Sequence, residues 1–354
     1  MTDVFAIQDE IAQAIAGKLR VHLIADRPLV KKSMQNMEAY NLYLKGRYHY
    51  FKSTPESVAK SKEYYEQAIA VDPNCVKAWS GLAFVYWTLG FGGLMPAKAA
   101  NAKSSQAVLK ALELDEMLPE AHSVFAVLRA GEFDWKGAER EFDRALQLGP
   151  EVSDVWWQYS QWYLVPMNLL DEAVAAAQKA LELDPLSPYV HFQLGLRYFM
   201  NQQYDLAIQQ HRNVLELDPH FFGPYVQLGV VYIQTGNINE AISTSEKAVQ
   251  LGGTLSPLLL AFRGFVKAQT GQISEAQQLL DELQELAQQK HVPAVAFAMV
   301  YFGLGEIDRC FDWLDRGVDE RDAMILQMHR APTWKPIRSH PRYKDLLRKM
   351  NLES

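Results

Sequence analysis

GFGGLMP, residues 90–96, comes closest to a phosphate-binding loop. Its three glycines would let backbone N–H groups approach an anion. The Lys-Ser/Thr that completes such a loop is missing, and so is a preceding strand, so the stretch reads as the loop of an inserted repeat. No Gly-x-Ser-x-Gly nucleophile turn occurs. The nine histidines are scattered, and the closest pair, His211 and His220, falls in a helix and a turn. His122 and His191 take the large-residue position of an amphipathic helix, where a packed ring is the ordinary role. Acid pairs such as Asp9-Glu10, Asp171-Glu172 and Asp281-Glu282 sit at helix starts or faces, where they favour the helix dipole without catalysing anything. Cys75 and Cys310 lie too far apart in the chain for a Cys-rich zinc site or a disulfide framework. The expectation is a chain without catalytic residues, metal ligands or a cofactor, and so not an enzyme.

Composition bounds the partners. The 35 basic and 42 acidic residues leave a net charge of −7, which disfavours gripping nucleic acid through its phosphates. The longest nearly apolar run, 292–305, is shorter than the ~20 residues a membrane span needs. The first ten residues carry acids and no basic n-region, so a signal peptide is not expected. Two free thiols suit a reducing compartment, and the expected location is cytoplasmic.

What would position any functional residue is a repeat. AIAVDP (68–73), ALELDE (111–116), ALQLGP (145–150), ALELDP (180–185), VLELDP (214–219) and AVQLGG (248–253) are variants of one phrase. Pro150 to Pro185 is 35 residues and Pro185 to Pro219 is 34, a period that belongs to paired helices. Gly195, Gly229, Ala207 and Ala241 let two helices approach, while Leu194, Tyr198, Leu228 and Tyr232 fill the seam. Asp-Pro stops each second helix, because proline lacks the amide and disfavours helical geometry before it. The repeat starting at 153 holds one residue more than its neighbours.

These residues resemble the tetratricopeptide repeat (TPR) pattern. His122, Phe125, Ala126, Ala138, Phe142, Ala145 and Pro150 carry it in one repeat, and Trp156, Tyr159, Ser160, Tyr163, Ala173, Ala177, Ala180 and Pro185 in the next. The fold class expected is all-α: a TPR α-solenoid, a right-handed superhelix of about eight helix pairs. Residues 1–35 would form an N-terminal amphipathic helix (Val4, Ile7, Ile11, Ile15, Leu19) and linker, 36–320 the array, and 321–354 a C-terminal cap. TDVFAIQDEIAQAIAGKL is similar to the end of a TolB-like domain, which in bacterial signalling proteins precedes TPRs and follows an adenylate cyclase, winged-helix regulator or kinase domain. That resemblance implies that the chain is the regulatory or sensory part of a larger protein. The basic stretch 329–350 reads as the polar face of a cap, with an anionic partner as the alternative.

The resemblance also implies that first helices line a concave face through the second, fifth, ninth and twelfth positions of each repeat. Lys77, Glu120 and Asp154 stand at second positions. The face as a whole reads as apolar and aromatic, and the candidate peptide-binding groove is Phe84, Trp87, Trp157, Gln161, Tyr189, Phe192, Leu196, Phe199, Val226, Val230 and Ile233. It lacks the Lys/Asn/Arg set that clamps the terminal carboxylate of chaperone tails. The function expected is a non-catalytic protein–protein interaction scaffold whose groove takes an amphipathic helix or an apolar peptide. The competing reading is that tight curvature, or the chain's own N-terminal helix, buries this face. An end repeat can pair with a second copy, so the oligomeric state stays open.

Overall fold

The structure, a computed structural model, describes residues 36–252 and 256–352. The N-terminal amphipathic helix expected from the sequence lies outside the described residues. Among those residues the protein is all-α. Eight helical hairpins follow one another: α1 (Met37–Phe51) with α2 (Pro55–Val71), α3 (Val76–Phe91) with α4 (Ala97–Leu114), α5 (Pro119–Gly131) with α6 (Trp135–Leu148), α7 with α8 (Leu170–Leu183), α9 (Pro188–Met200) with α10 (Tyr204–Leu217), α11 (Phe222–Thr235) with α12 (Ile238–Gly252), α13 (Pro257–Gln269) with α14 (Ile273–Gln289), and α15 (Ala294–Gly303) with α16 (Ile307–Glu320). α7 starts as an α-helix, Ser153–Tyr159, and continues as a π-helix, Ser160–Leu164. A short α17 (Ile325–Met328), a 3-10 segment (Pro332–Ser339) and α18 (Pro341–Lys349) follow the last hairpin. No described helix is long and apolar enough to cross a membrane.

The recurring phrase has a structural cause. The first four turns between repeats are each stitched by the ring of the next helix's fourth residue. Trp79 Nε1 donates to the Pro73 carbonyl at 2.9 Å, and Trp156 Nε1 to that of Pro150 at 2.8 Å. His122 and His191 reach the carbonyls of Glu116 and Pro185 through Nε2, at 2.9 and 3.0 Å. One polar ring therefore satisfies the same exposed carbonyl four times over. Glycines do the other half of the work. A Cβ on Gly195 would meet the His211 ring at 2.6 Å, so only glycine admits that buried imidazole. Burial alone pushes the His211 pKa down to about 3, so the ring packs as a neutral group.

The extra residue in the fourth repeat is absorbed inside α7. The Val165 amide donates to the carbonyl of Ser160, five residues back, at 3.2 Å. This wide turn accommodates one additional residue without breaking the helix. Pro166 follows and has no amide to give. The backbone carbonyl of Gln161 instead accepts a hydrogen bond at 2.8 Å from Gln327 Nε2, far along the chain in α17.

That bond belongs to a wider closure. The C-terminal segment does more than cover the last hairpin; it reaches back across the inside of the superhelix. Trp135 Nε1 donates to the Met350 carbonyl at 2.8 Å, and Asn351 Nδ2 to that of Phe133 at 3.2 Å. Arg321 lies over the Phe133 ring and pairs with Glu132. Ile325, Leu326, Trp334, Leu346 and Met350 of the segment are buried. Gly93, in the second hairpin, has φ +69° and lies directly against Pro293 at the start of the eighth, so a Cβ there would clash. Arg342 and Lys349 of the cap are engaged within the fold: Arg342 bonds Asp312 at 2.8 Å and Asp315 at 2.7 Å, and Lys349 bonds Asp315 at 2.6 Å. Burial raises the Asp315 carboxyl, but the bonds from Lys349 and Arg342 outweigh it and hold the group below its ordinary range.

Candidate binding site on the concave face

The inner surface divides into three parts. The first is packed solid. Phe84, Trp87, Trp157, Gln161 and Phe199 are buried. Trp157 lies between Phe84 and Tyr189, with ring centroids 5.6 and 5.3 Å away. Trp87 and Phe91 both meet Trp162 edge-on, at 5.3 and 5.2 Å. Tyr50 and Phe51 at the end of α1 reach Tyr189 in α9. First and fifth repeats therefore touch across the channel. The expected groove residues are in this region brought together as core, by tight curvature.

The second part is half open. Tyr189, Phe192, Leu196, Val226, Val230 and Ile233 are neither buried nor fully exposed. Phe192 leans on Phe221 and on the His211 ring, so it is partly structural. Val226, Val230 and Ile233 form a stripe along α11 at helical spacing, and the 3-10 segment of the C-terminus packs beside that helix.

The third part is a charged mouth that the sequence reading did not assemble. α1, α3, α5 and α7 converge on a cavity of about 260 Å³ lined by Tyr40, Tyr43, Leu44, Arg47, Lys77, Glu120, Val152, Ser153, Asp154 and Asp184. It continues inward as a narrower space against Tyr50, Phe84 and Trp157. Arg47 pairs with Asp154, which also accepts a hydrogen bond from Trp157 Nε1 at 3.2 Å. Burial disfavours the Arg47 charge, but Asp154 outweighs it and leaves the guanidinium more firmly protonated. Lys77 Nζ stands 3.5 Å from Glu120 Oε1. Burial, and then the neighbouring Asp154 charge, push the Asp184 carboxyl above its ordinary range. The Tyr43 hydroxyl is raised by burial as well. Lys77, Glu120 and Asp154 were legible as second-position residues; what was missing was that Lys77 pairs with Glu120 of the next repeat, and that Arg47 of the first repeat pairs with Asp154 of the fourth.

Among the described residues no group of three or more metal-ligating side chains comes together. Cys75 and Cys310 are free, and burial raises the Cys310 thiol to about 12.

Comparison with known proteins agrees with the hairpins. Residues 162–220 and 223–251 each match the tetratricopeptide repeat family. Among curated proteins, the transcriptional regulator HilA of Salmonella typhimurium is 24% identical over 152 residues, which is 43% of this chain and 27% of HilA. The chain thus spans about a quarter of the length of the curated relatives it matches. Among solved structures, the human IFIT1 dimer with m7Gppp-AAAA superposes with a TM-score of 0.58 at 16% identity, covering 79% of this chain and 72% of that one. Yeast Tom70 gives 0.49 at 19% identity, over 89% and 68%. The IFIT1 likeness is one of fold.

Proposed function

We propose that this chain, a tetratricopeptide-repeat protein built as an all-α solenoid, is a non-catalytic scaffold that holds a protein segment on the open part of its concave face. The observation that carries the reading is the division of that face. Its interior is filled by aromatic packing, while the α11 stripe stays half open beside a charged mouth. Apolar side chains left at that spacing suit the apolar side of a helix or an extended peptide. The partner in this reading is a protein, not a nucleic acid, since the chain is acidic overall. It is not a chaperone tail, since both basic residues at the mouth already hold carboxylates. Its free thiols suit the cytoplasm.

The test compares variants. Val230→Glu and Ile233→Glu place charges on the open stripe and are expected to reduce partner capture at least tenfold, about 1.4 kcal/mol or more. Leu186→Glu, at a residue 84% exposed, is expected to leave capture unchanged. Equal capture by all three variants would remove α11 from the site.

A second reading adds a host: the chain as the regulatory part of a larger bacterial signalling protein. What favours it is the 152-residue likeness to a transcriptional regulator, together with the DVFAIQDEIA segment. The two readings are compatible, because a scaffold can serve an effector on the same polypeptide.

A further inference from the structure

The mouth cavity lacks one positive charge. It holds three carboxylates, Glu120, Asp154 and Asp184, against two cations, Arg47 and Lys77. Arg47 is taken by Asp154 and Lys77 by Glu120, so Asp184 is left with no ion-pair partner among the described residues. A second group lines the same cavity. The Tyr43 side chain is only 6% exposed and lines the cavity among Arg47, Lys77, Glu120 and Asp154. Its hydroxyl makes no hydrogen bond among the described residues. The hydroxyl oxygen is not sealed from the cavity, and the half-buried Asp184 carboxylate beside Asp154 is costlier to ionise than one left in water. The cavity therefore presents a hydroxyl and a carboxylate that no hydrogen bond or ion pair of the described residues engages. A cavity lined with an excess of negative charge attracts a cationic group of a ligand.

From the size and polarity of this gap we infer that the mouth is a socket for a cationic side chain, arginine or lysine, of the protein segment held on the concave face. The inference rests on the scaffold reading and names the chemistry that its partner must present. The cavity, about 260 Å³, is smaller than the roughly 300–1,000 Å³ of pockets for substrates and cofactors, and it admits one long side chain. A guanidinium or ammonium would donate to Asp184 and to Tyr43 Oη together. Its charge would bring the count to three against three, in a place where burial strengthens the pairing. An anionic group would meet an excess of carboxylates instead.

The experiment uses the full chain and titrates it with N-acetyl-arginine amide and with N-acetyl-citrulline amide, its uncharged isostere, by isothermal calorimetry up to about 20 mM, a range that reads weak single-side-chain affinities. Arginine amide is expected to bind at least tenfold more tightly than citrulline amide. Asp184→Asn is expected to weaken arginine amide at least tenfold while the melting temperature stays level or rises, because a carboxylate repelled by Asp154 has been removed. A residue that only supported the fold would move the other way, losing stability. Equal binding of the two amides, no binding of either, or arginine binding untouched by Asp184→Asn would overturn the inference. If it falls while Val230→Glu still abolishes partner capture, the scaffold reading stands and only the choice of side chain is wrong. If that variant also captures normally, the scaffold reading falls as well.

Discussion

Ending the chain after Glu320 is expected to destroy cooperative folding well beyond the last hairpin. The segment removed buries Ile325, Leu326, Met328, Trp334, Ile337, Tyr343, Leu346 and Met350. At roughly 1.5–3 kcal/mol for each large apolar side chain, the loss is comparable with or larger than a typical total stability of about 5–15 kcal/mol. An ordinary solenoid is quasi-one-dimensional, so deleting one end harms chiefly its neighbours. Here the segment bonds the third repeat through Trp135 and Phe133, and the fourth through Gln161. Hydrogen exchange should therefore accelerate at residues 131–166 as strongly as at 294–320. A milder variant keeps the question open if the truncated chain does not fold. Gln327→Ala leaves the Gln161 carbonyl in the wide turn without its donor, a loss of about 1–3 kcal/mol, and should speed exchange locally at 160–166. Exchange changed only near the C-terminus, in both variants, would mean that the array is an open solenoid.

Trp157→Ala is expected to cost about 3–5 kcal/mol, read as a lower denaturant midpoint. The ring is 2% exposed and contacts Phe84 and Tyr189 from two other repeats, and its Nε1 steadies Asp154 at the mouth. Alanine would leave a cavity where three repeats meet. Stability and the charged mouth should thus fail together. A variant with an unchanged midpoint that had lost partner capture would return Trp157 to the groove.

Much of this was readable beforehand, for a physical reason. Each hairpin repeats the same local problem, so Asp-Pro stops, small residues at close approaches and large residues in the seam recur with the period, while the bonds from Trp79, His122, Trp156 and His191 to the turn carbonyls did not show in the sequence. Even the π-turn was foreshadowed, as 35 residues between Pro150 and Pro185 where its neighbour has 34. Closure was not readable. It accumulates from small rotations between repeats, and no residue states their sum. Tyr50 and Tyr189, more than a hundred residues apart, meet only because of it. The C-terminal segment hid for a different reason. Its path runs through a four-residue helix and a 3-10 stretch holding Pro336, which leave no helical periodicity to find. The mouth hid because Lys77, Glu120 and Asp154 gain meaning only in pairs across repeats.

The measurement that bears most directly on the account is hydrogen exchange on the full chain, free and saturated with a captured protein partner. The account predicts new protection on α11, Phe222–Thr235, and on the mouth helix α1, Met37–Phe51, with the convex helix α14 unchanged. Protection that appears on α14 or its convex neighbours and leaves α11 and α1 untouched would contradict a concave binding site.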